Sequence, residues 1–142
     1  MPRALAVAAI AVGAAIAPAH AADRARVDVE CKALPEKYAY DCTFRIANAR
    51  TGAPIEKAEV TIGADMPSMP MAHNVRPVKA TPTATPGEYQ ARLGLEMYGD
   101  WAVRLRVSGA VKDQVVQMRN FDAKGSGPPS KRAAPHGGHH KH

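Results

Sequence analysis

The chain has few aromatic residues, few cysteines and no long hydrophobic run after its first residues. Phe, Trp and Tyr make up 5% of the 142 residues, and only two cysteines are present. After position 21, no apolar stretch reaches the roughly 20 residues that a membrane-spanning helix needs. Helical periodicity is also scarce, which argues against a helical bundle. We therefore predict a domain without a stable membrane span and without a helical core.

Most of the excess positive charge lies in the C-terminal tail. The formal net charge is +6 and the pI is about 9.6, and such values make a nucleic acid a candidate partner. Between positions 22 and 122, however, the chain has 14 Lys and Arg residues and 13 Asp and Glu residues, so the net charge of this part is 14 − 13 = +1. We therefore predict no nucleic-acid partner for the folded part of the chain.

The first 21 residues are typical of a secretory signal peptide. Arg3 precedes an apolar, alanine-rich run over 4–16, and residues 19–21 read Ala-His-Ala, a pattern that signal peptidases cleave. We predict cleavage before Ala22 and hence a periplasmic or secreted protein. The alternative is an uncleaved membrane anchor, but the run is short against the roughly 20 residues of a membrane span.

The two cysteines, Cys31 and Cys42, predict a disulfide. An even number of cysteines in an exported chain favours pairing, and each cysteine lies on the apolar face of an alternating segment. The alternative is a thiol site for a metal or for redox chemistry. The chain has no C-x-x-C spacing, which argues against that alternative.

Strict alternation of apolar and polar residues, separated by turn signals, predicts an all-β domain over 22–122. Six or seven short strands in about 100 residues indicate an immunoglobulin-like antiparallel β-sandwich. The single tryptophan, Trp101, is expected to anchor its core. The alternating segments are 26–32, 40–47, 55–64, 88–95, 101–108 and 111–122.

The composition changes after position 122, and we predict that 123–142 is a disordered tail. Residues 125–130 consist of Gly, Ser and Pro, as in flexible linkers. The end of the chain is rich in histidine, and such imidazole clusters bind Ni(II), Zn(II) or Cu(II) weakly. The alternative is a solubilising tail with no selected ligand. The tail histidines are His136, His139, His140 and His142.

One short segment combines methionine, proline and the only histidine between positions 21 and 135. Three methionines fall within six residues, and His73 follows them. Pro67 and Pro70 exclude a regular helix and favour extended or polyproline backbone, in which two or three of the thioethers share a side with the imidazole. The candidate ligands of this segment are Met66, Met69, Met71 and His73.

Copper is the metal that this set of ligands favours. Thioethers are soft and neutral, so they prefer Cu(I) to Zn(II) or Mg(II), while imidazole also accepts Cu(II). The alternative is ordinary packing or a partner contact, because methionine often fills irregular gaps. Met97, which precedes a glycine turn, is a further candidate ligand, whereas Met118 lies inside a predicted strand and is expected to pack.

Two further patterns accompany the Met/His segment: Pro86-Gly87-x-Tyr89 and Met97-x-Gly99-x-Trp101. Together these residues resemble the YtkA-like family of small exported β-sandwich domains, which is related to FixH. The resemblance covers about 25–121. It implies copper handling beside heavy-metal efflux or oxidase assembly. Carried over by position, it implies the same ligands, with Met97 as an additional group.

The sequence therefore predicts a periplasmic copper-binding protein that sequesters or transfers Cu(I) and exchanges it with a copper-handling membrane protein. The alternative is an adaptor without metal, whose Met/Pro loop docks on a membrane transporter or an oxidase-assembly complex. We do not expect an enzyme, because no nucleophile and base occur at motif spacing and no phosphate-binding glycine loop is present.

Overall fold

A computed structural model describes residues 22–70 and 72–130, together with Gly13. Within these residues the chain forms nine strands and no helix. Seven of the strands have at least six residues, in agreement with the predicted number, and two have only two residues. The strands are β1 Ala25–Ala33, β2 Ala39–Asn48, β3 Glu59–Asp65, β4 Asn74–Lys79, β5 Thr81–Pro82, β6 Glu88–Gly94, β7 Gly99–Ser108, β8 Asp113–Phe121 and β9 Ser126–Gly127.

The strands form two antiparallel sheets that pack face to face. The first sheet has the order β1-β2-β6-β5, and the second has the order β4-β3-β7-β8-β9. With β1 to β8 named A, B, C, C′, D, E, F and G, these orders become A-B-E-D and C′-C-F-G, the arrangement of immunoglobulin-like sandwiches. The predicted all-β sandwich is confirmed.

Alternation places the core between the sheets as predicted. The inward side chains of β7 are 0–1% exposed, and Trp101 is among the largest fully buried side chains. Phe44 and Leu93 contribute from the facing sheet and are also fully buried. Because each strand sends alternate side chains inward, the apolar sets found in the sequence meet across one interface.

The predicted disulfide is confirmed. Cys31 on β1 and Cys42 on β2 are direct partners in the antiparallel register, with their Cα atoms 4.0 Å apart and their sulfur atoms bonded. Both side chains face the core and are at most 4% exposed. The bridge therefore joins neighbouring strands of one sheet and lies two residues from the end of β1.

Two strand predictions differ from the structure. One strand was predicted over 55–64, but the strand in the structure begins only at Glu59. The amide of Ile55 still donates to the carbonyl of Ile46 in the first sheet, and the chain crosses to the second sheet after that bond. β4 was not predicted. Val75 and Val78 both pack against the core, and a bulge in the β3–β4 pairing breaks the period of two.

Residues 123–142 were predicted to be disordered, but residues 123–130 are ordered in the structure. There the chain forms a turn and then pairs with β8. The amides of Lys124 and Gly125 donate to the Asp122 carboxylate and hold the pKa of that group below its usual value. Gly125 then approaches the carbonyl of Cys31 so closely that a Cβ would overlap it. Residues 131–142 lie outside the described residues, as does the predicted signal peptide apart from Gly13.

Removal of the disulfide is expected to destabilise the domain. Replacement of both Cys31 and Cys42 by alanine should lower the free energy of unfolding by about 2–3 kcal/mol, because the unfolded chain regains the entropy that the cross-link removes. Urea denaturation followed by tryptophan fluorescence measures the change. Wild-type protein unfolded under reducing conditions serves as the control and should show a similar loss. An unchanged midpoint would contradict the prediction.

The close approach of Gly125 provides a second test. Gly125→Ala should destabilise the domain by about 1–3 kcal/mol, because the added methyl group must displace β1 or detach the C-terminal segment. The matched control is Gly127→Ala in β9, where an added Cβ meets nothing within 4 Å. Equal stability of the two variants in urea would show that residues 123–130 do not pack on the sandwich.

Candidate functional site

Two connections meet at one end of the sandwich. β3 ends at Asp65 and β4 begins at Asn74, while β6 ends at Gly94 and β7 begins at Gly99. Because β3 pairs with β7 and Asp65 faces Ala102, the connections 66–73 and 95–98 emerge side by side. We call the part of the molecule formed by these two connections the metal end, after the metal ligands that the sequence predicts there.

The β3–β4 connection is folded into turns, which differs from the extended or polyproline backbone that the sequence predicts. The amide of Met69 donates to the carbonyl of Met66 at 2.9 Å, and the amide of Ala72 donates to the carbonyl of Met69 at 3.1 Å. Pro67 and Pro70 each occupy the second position of one of these turns. Proline favours that position because its φ is already set to the required value.

Met66 is buried at the base of the metal end. Its side chain is 4% exposed, and its amide donates to the carbonyl of His73 at 3.2 Å, which extends the β3–β4 ladder by one pair. A Cβ atom placed on Gly99 would lie only 2.9 Å from the methyl carbon of Met66. Gly99 also has a φ of +134°, which residues other than glycine rarely adopt. Glycine at position 99 therefore makes room for the thioether of Met66.

Met69 lies on the surface of the same connection. It is 37% exposed and is one of three exposed large hydrophobic side chains among the described residues. Its thioether is thus accessible to a ligand or a partner. Met71, the remaining methionine of this segment, lies outside the described residues.

His73 bridges the two connections of the metal end. Its Nδ1 bonds to Oε2 of Glu96, and because an ionised carboxylate only accepts, the imidazole is the donor. The imidazole ring also packs edge-on against Trp101, with ring centroids 6.2 Å apart. The His73 side chain is 24% exposed, so it is half-buried with its position set by two neighbours.

Glu96 is the residue that sequence reasoning missed. It lies 23 positions after His73, and no ligand spacing connects the two. Its only sequence signal is its place beside Met97, in the connection that leads to Trp101. The Glu96 side chain is 52% exposed, so its carboxylate is available to balance a nearby positive charge.

Met97 is partly buried and packs against the core. Its carbonyl accepts a hydrogen bond from Nε1 of Trp101 at 3.1 Å, which holds the β6–β7 connection to the buried indole. Met118 is half-buried within β8, opposite Ala102. The structure therefore brings Met66, Met69, His73 and Met97 to one end of the sandwich and leaves Met118 outside this group.

Tyrosines flank the metal end on the side of the first sheet. The rings of Tyr38 and Tyr98 meet edge-on with their centroids 4.8 Å apart, and Tyr98 is 39% exposed.

The hydroxyl of Tyr40 donates to the carbonyl of Asp122 at 2.7 Å. Burial, with smaller contributions from its neighbours, raises the pKa of Tyr40 to about 12. Tyr40 is therefore a neutral donor at neutral pH and does not supply a phenolate ligand.

Two features are absent from the described residues. Over 22–70 and 72–130, no group of three or more His, Cys, Asp and Glu side chains is arranged to hold a metal ion. In the same part of the chain, no helix has the length and apolar character needed to cross a membrane. The tail histidines His136, His139, His140 and His142 lie outside the described residues.

Comparison with known proteins identifies a family but no individual relative. No curated protein and no solved structure matches the chain. The model of the YtkA-like family matches residues 20–106, which include β1 to β6 and most of β7. The match covers more than half of the chain and contains the whole of the metal end. The chain therefore belongs to the YtkA-like family.

Proposed function

We propose that this protein binds copper, preferentially as Cu(I), in the periplasm or outside the cell, and that it sequesters the ion or passes it on. The observation that carries the proposal is the contact between His73 and Glu96. A histidine that ligates a metal usually donates its other ring N–H to a carboxylate or a carbonyl. With Nδ1 donating to Glu96, the lone pair of Nε2 is free for a metal.

The charge balance at this end favours a monovalent soft cation. A thioether and a metal-bound imidazole add no charge as ligands, and the carboxylate of Glu96 lies next to the imidazole of His73. Soft neutral ligands select Cu(I) over the harder divalent ions. A partly exposed site with few protein ligands also releases its ion readily, which suits exchange with a copper-handling membrane protein of an efflux or oxidase-assembly system.

The different exposure of the candidate ligands supports a different role for each of them in this proposal. We infer that the exposed Met69 and the half-buried His73 form the primary pair of ligands. Met66 is buried and Met97 is partly buried, so in this proposal both are secondary ligands. Met71 remains a candidate on the basis of its sequence position alone.

The adaptor without metal is the second candidate. Two of the three exposed large hydrophobic side chains among the described residues, Met69 and Tyr98, lie at the metal end. Exposed apolar side chains that cluster are typical of interaction surfaces. In this interpretation, Met66 is a packing residue and the Met/Pro loop contacts a membrane transporter or an oxidase-assembly complex.

An enzymatic function has less support. A carboxylate that orients a histidine also occurs in hydrolases, where the second ring nitrogen takes a proton from a nucleophile. Among the described residues, no hydroxyl or thiol group bonds to Nε2 of His73. Both cysteines are joined in the disulfide and do not supply a thiol.

A Cu(I) titration of the chain from Ala22 onward, with the four tail histidines replaced by glutamine, tests the copper proposal. We expect one ion per chain in competition with a chromogenic Cu(I) chelator under anaerobic conditions. Substitution of both Met69→Leu and His73→Gln should abolish this binding, because it removes both accessible soft ligands.

The matched control for this titration is Met118→Leu, which removes a methionine of β8 outside the metal end and should leave binding intact. If the unsubstituted loop binds no more Cu(I) than the double variant does, the adaptor is the better account.

Glu96→Gln tests the role of the carboxylate. We expect the Cu(I) affinity to fall roughly 10- to 100-fold, because the loss of an outer carboxylate weakens the orientation and basicity of the ligating histidine. The control is Glu56→Gln, which changes the same charge at an exposed position in the connection before β3. Equal affinity of the two variants would exclude a role for Glu96 in binding.

A further inference from the structure

The outer face of the second sheet contains a groove that lies apart from the described candidate metal ligands. Residues of β3, β4, β7 and β8 surround a hollow of about 360 Å³. A second hollow of about 540 Å³ continues it toward the β7–β8 turn, and both hollows are lined by Arg106 and Gln114. We call the two hollows together the outer groove. It extends from Gly63 at one end to Lys112 at the other.

Gly63 lies in the floor of the outer groove. Its neighbours Ile62 and Ala64 are buried, so a side chain at position 63 would point outward. A Cβ atom there would meet only the Cγ atom of Pro77, at 3.9 Å, so packing within the sandwich does not require glycine. Glycine inside a strand weakens the strand and often marks the close approach of a ligand or of another backbone.

Apolar side chains line the same end of the outer groove. Val116 is 50% exposed and is the third exposed large hydrophobic side chain among the described residues. It lies opposite Arg104 in the β7–β8 register, while Pro77 lies on the other side, next to Gly63. An apolar side chain of a ligand can therefore contact Val116 and Pro77 beside the guanidinium of Arg104.

The carboxylates that line the outer groove already have partners. Asp65 accepts two hydrogen bonds from the guanidinium of Arg104. Asp113 accepts from Arg24 and from the amide of Ala25, and its side chain is only 9% exposed. These two carboxylates are therefore not free to neutralise a further cation of the groove.

Two cations of the outer groove lack such a partner. Arg106 and Lys112 are exposed, and neither forms an ion pair with another of the described residues. Val107 faces Asp113 in the β7–β8 ladder, so Lys112 lies one step beyond that pair, near Ser108. The Cα atoms of Arg106 and Lys112 are therefore within roughly 10 Å of each other. The groove thus presents two uncompensated positive charges close together.

We propose that the outer groove binds an extended acidic segment of a partner protein. Alternate residues of an extended chain point to the same side and lie about 7 Å apart, so two acidic side chains at positions i and i+2 match Arg106 and Lys112. An apolar residue at i+4 then meets Val116. From Arg104 to Ser108, β7 rises about 13 Å, the length of four extended residues. A single small anion would leave most of that length empty.

The proposal goes beyond the copper site, because the groove uses none of the candidate metal ligands. A membrane surface fits the groove less well than a peptide does. Anionic lipids are typically recognised by clusters of roughly four to eight Lys and Arg residues. The outer groove offers two free cations and a third, Arg104, whose charge is balanced by Asp65.

The test uses the peptide acetyl-Glu-Thr-Glu-Thr-Val-amide and the chain from Ala22 onward, labelled with nitrogen-15, in an NMR titration at low salt. We expect the amide signals of Gly63 and Gln114 to shift. Replacement of both Arg106→Gln and Lys112→Gln should weaken binding roughly three- to tenfold, because it removes two exposed ion pairs. Gly63→Val should also weaken binding, because its side chain fills the floor of the groove.

The matched control for the charge variant is Arg26→Gln with Lys32→Gln. Both residues are exposed on β1, in the opposite sheet, so this pair makes the same change in net charge. The control variant should keep the affinity of the unsubstituted chain. A peptide with Gln at both acidic positions should bind no variant measurably.

Four results would overturn the proposal. Equal weakening by the two charge variants, or equal binding of the Gln peptide, would indicate general attraction to a basic chain. Signals that shift only outside the outer groove would place the peptide elsewhere. Glutarate bound as tightly as the peptide would assign the groove to a small dicarboxylate. Tighter binding to phosphatidylglycerol vesicles than to the peptide, lost in the Arg106 and Lys112 variant, would assign it to a membrane surface.

Discussion

The indole of Trp101 lies fully buried between the two sheets, and its single N–H must find an acceptor inside the protein. It finds the carbonyl of Met97, in the connection that leads into β7. The edge of the His73 ring packs against the same indole. One buried side chain therefore ties the hydrophobic core to both connections of the metal end, and the positions of the candidate ligands depend on how that core packs.

The same packing separates the methionines into different environments. Met66 faces His73 across the extended β3–β4 ladder, so both side chains point to the same side of the sheet. Met66 fills the space above Gly99, and His73 lies nearer the surface with Glu96 on Nδ1. Met69 occupies the tip between two proline turns and stays exposed. The proposed copper exchange rests on this combination of a histidine oriented by a carboxylate and an exposed thioether.

Much of the fold could be predicted because alternation reports directly which side of a strand is buried. Cys31 and Cys42 were predicted to pair from that alternation and from the count of cysteines, and they lie opposite one another. β4 was not predicted because a bulge places Val75 and Val78 on the same face at a spacing of three, so the strand does not show the usual period of two. The order of residues 123–130 was not predicted because Gly125 packs against Cys31, which is distant in the chain, although the Asp122 turn before it is local.

The sequence by itself determined the sandwich and the disulfide, and it identified the candidate soft ligands, because strand periodicity, cysteine number and ligand chemistry can be read from the residue types and their spacing. Only the tertiary structure decided that Met66 is buried while Met69 is accessible, and that Glu96 bonds to His73. These facts depend on which connections the sheets bring together. β3 pairs with β7 although the two strands are far apart in the chain. No pattern among neighbouring residues shows that the connection after β3 and the connection before β7 lie side by side.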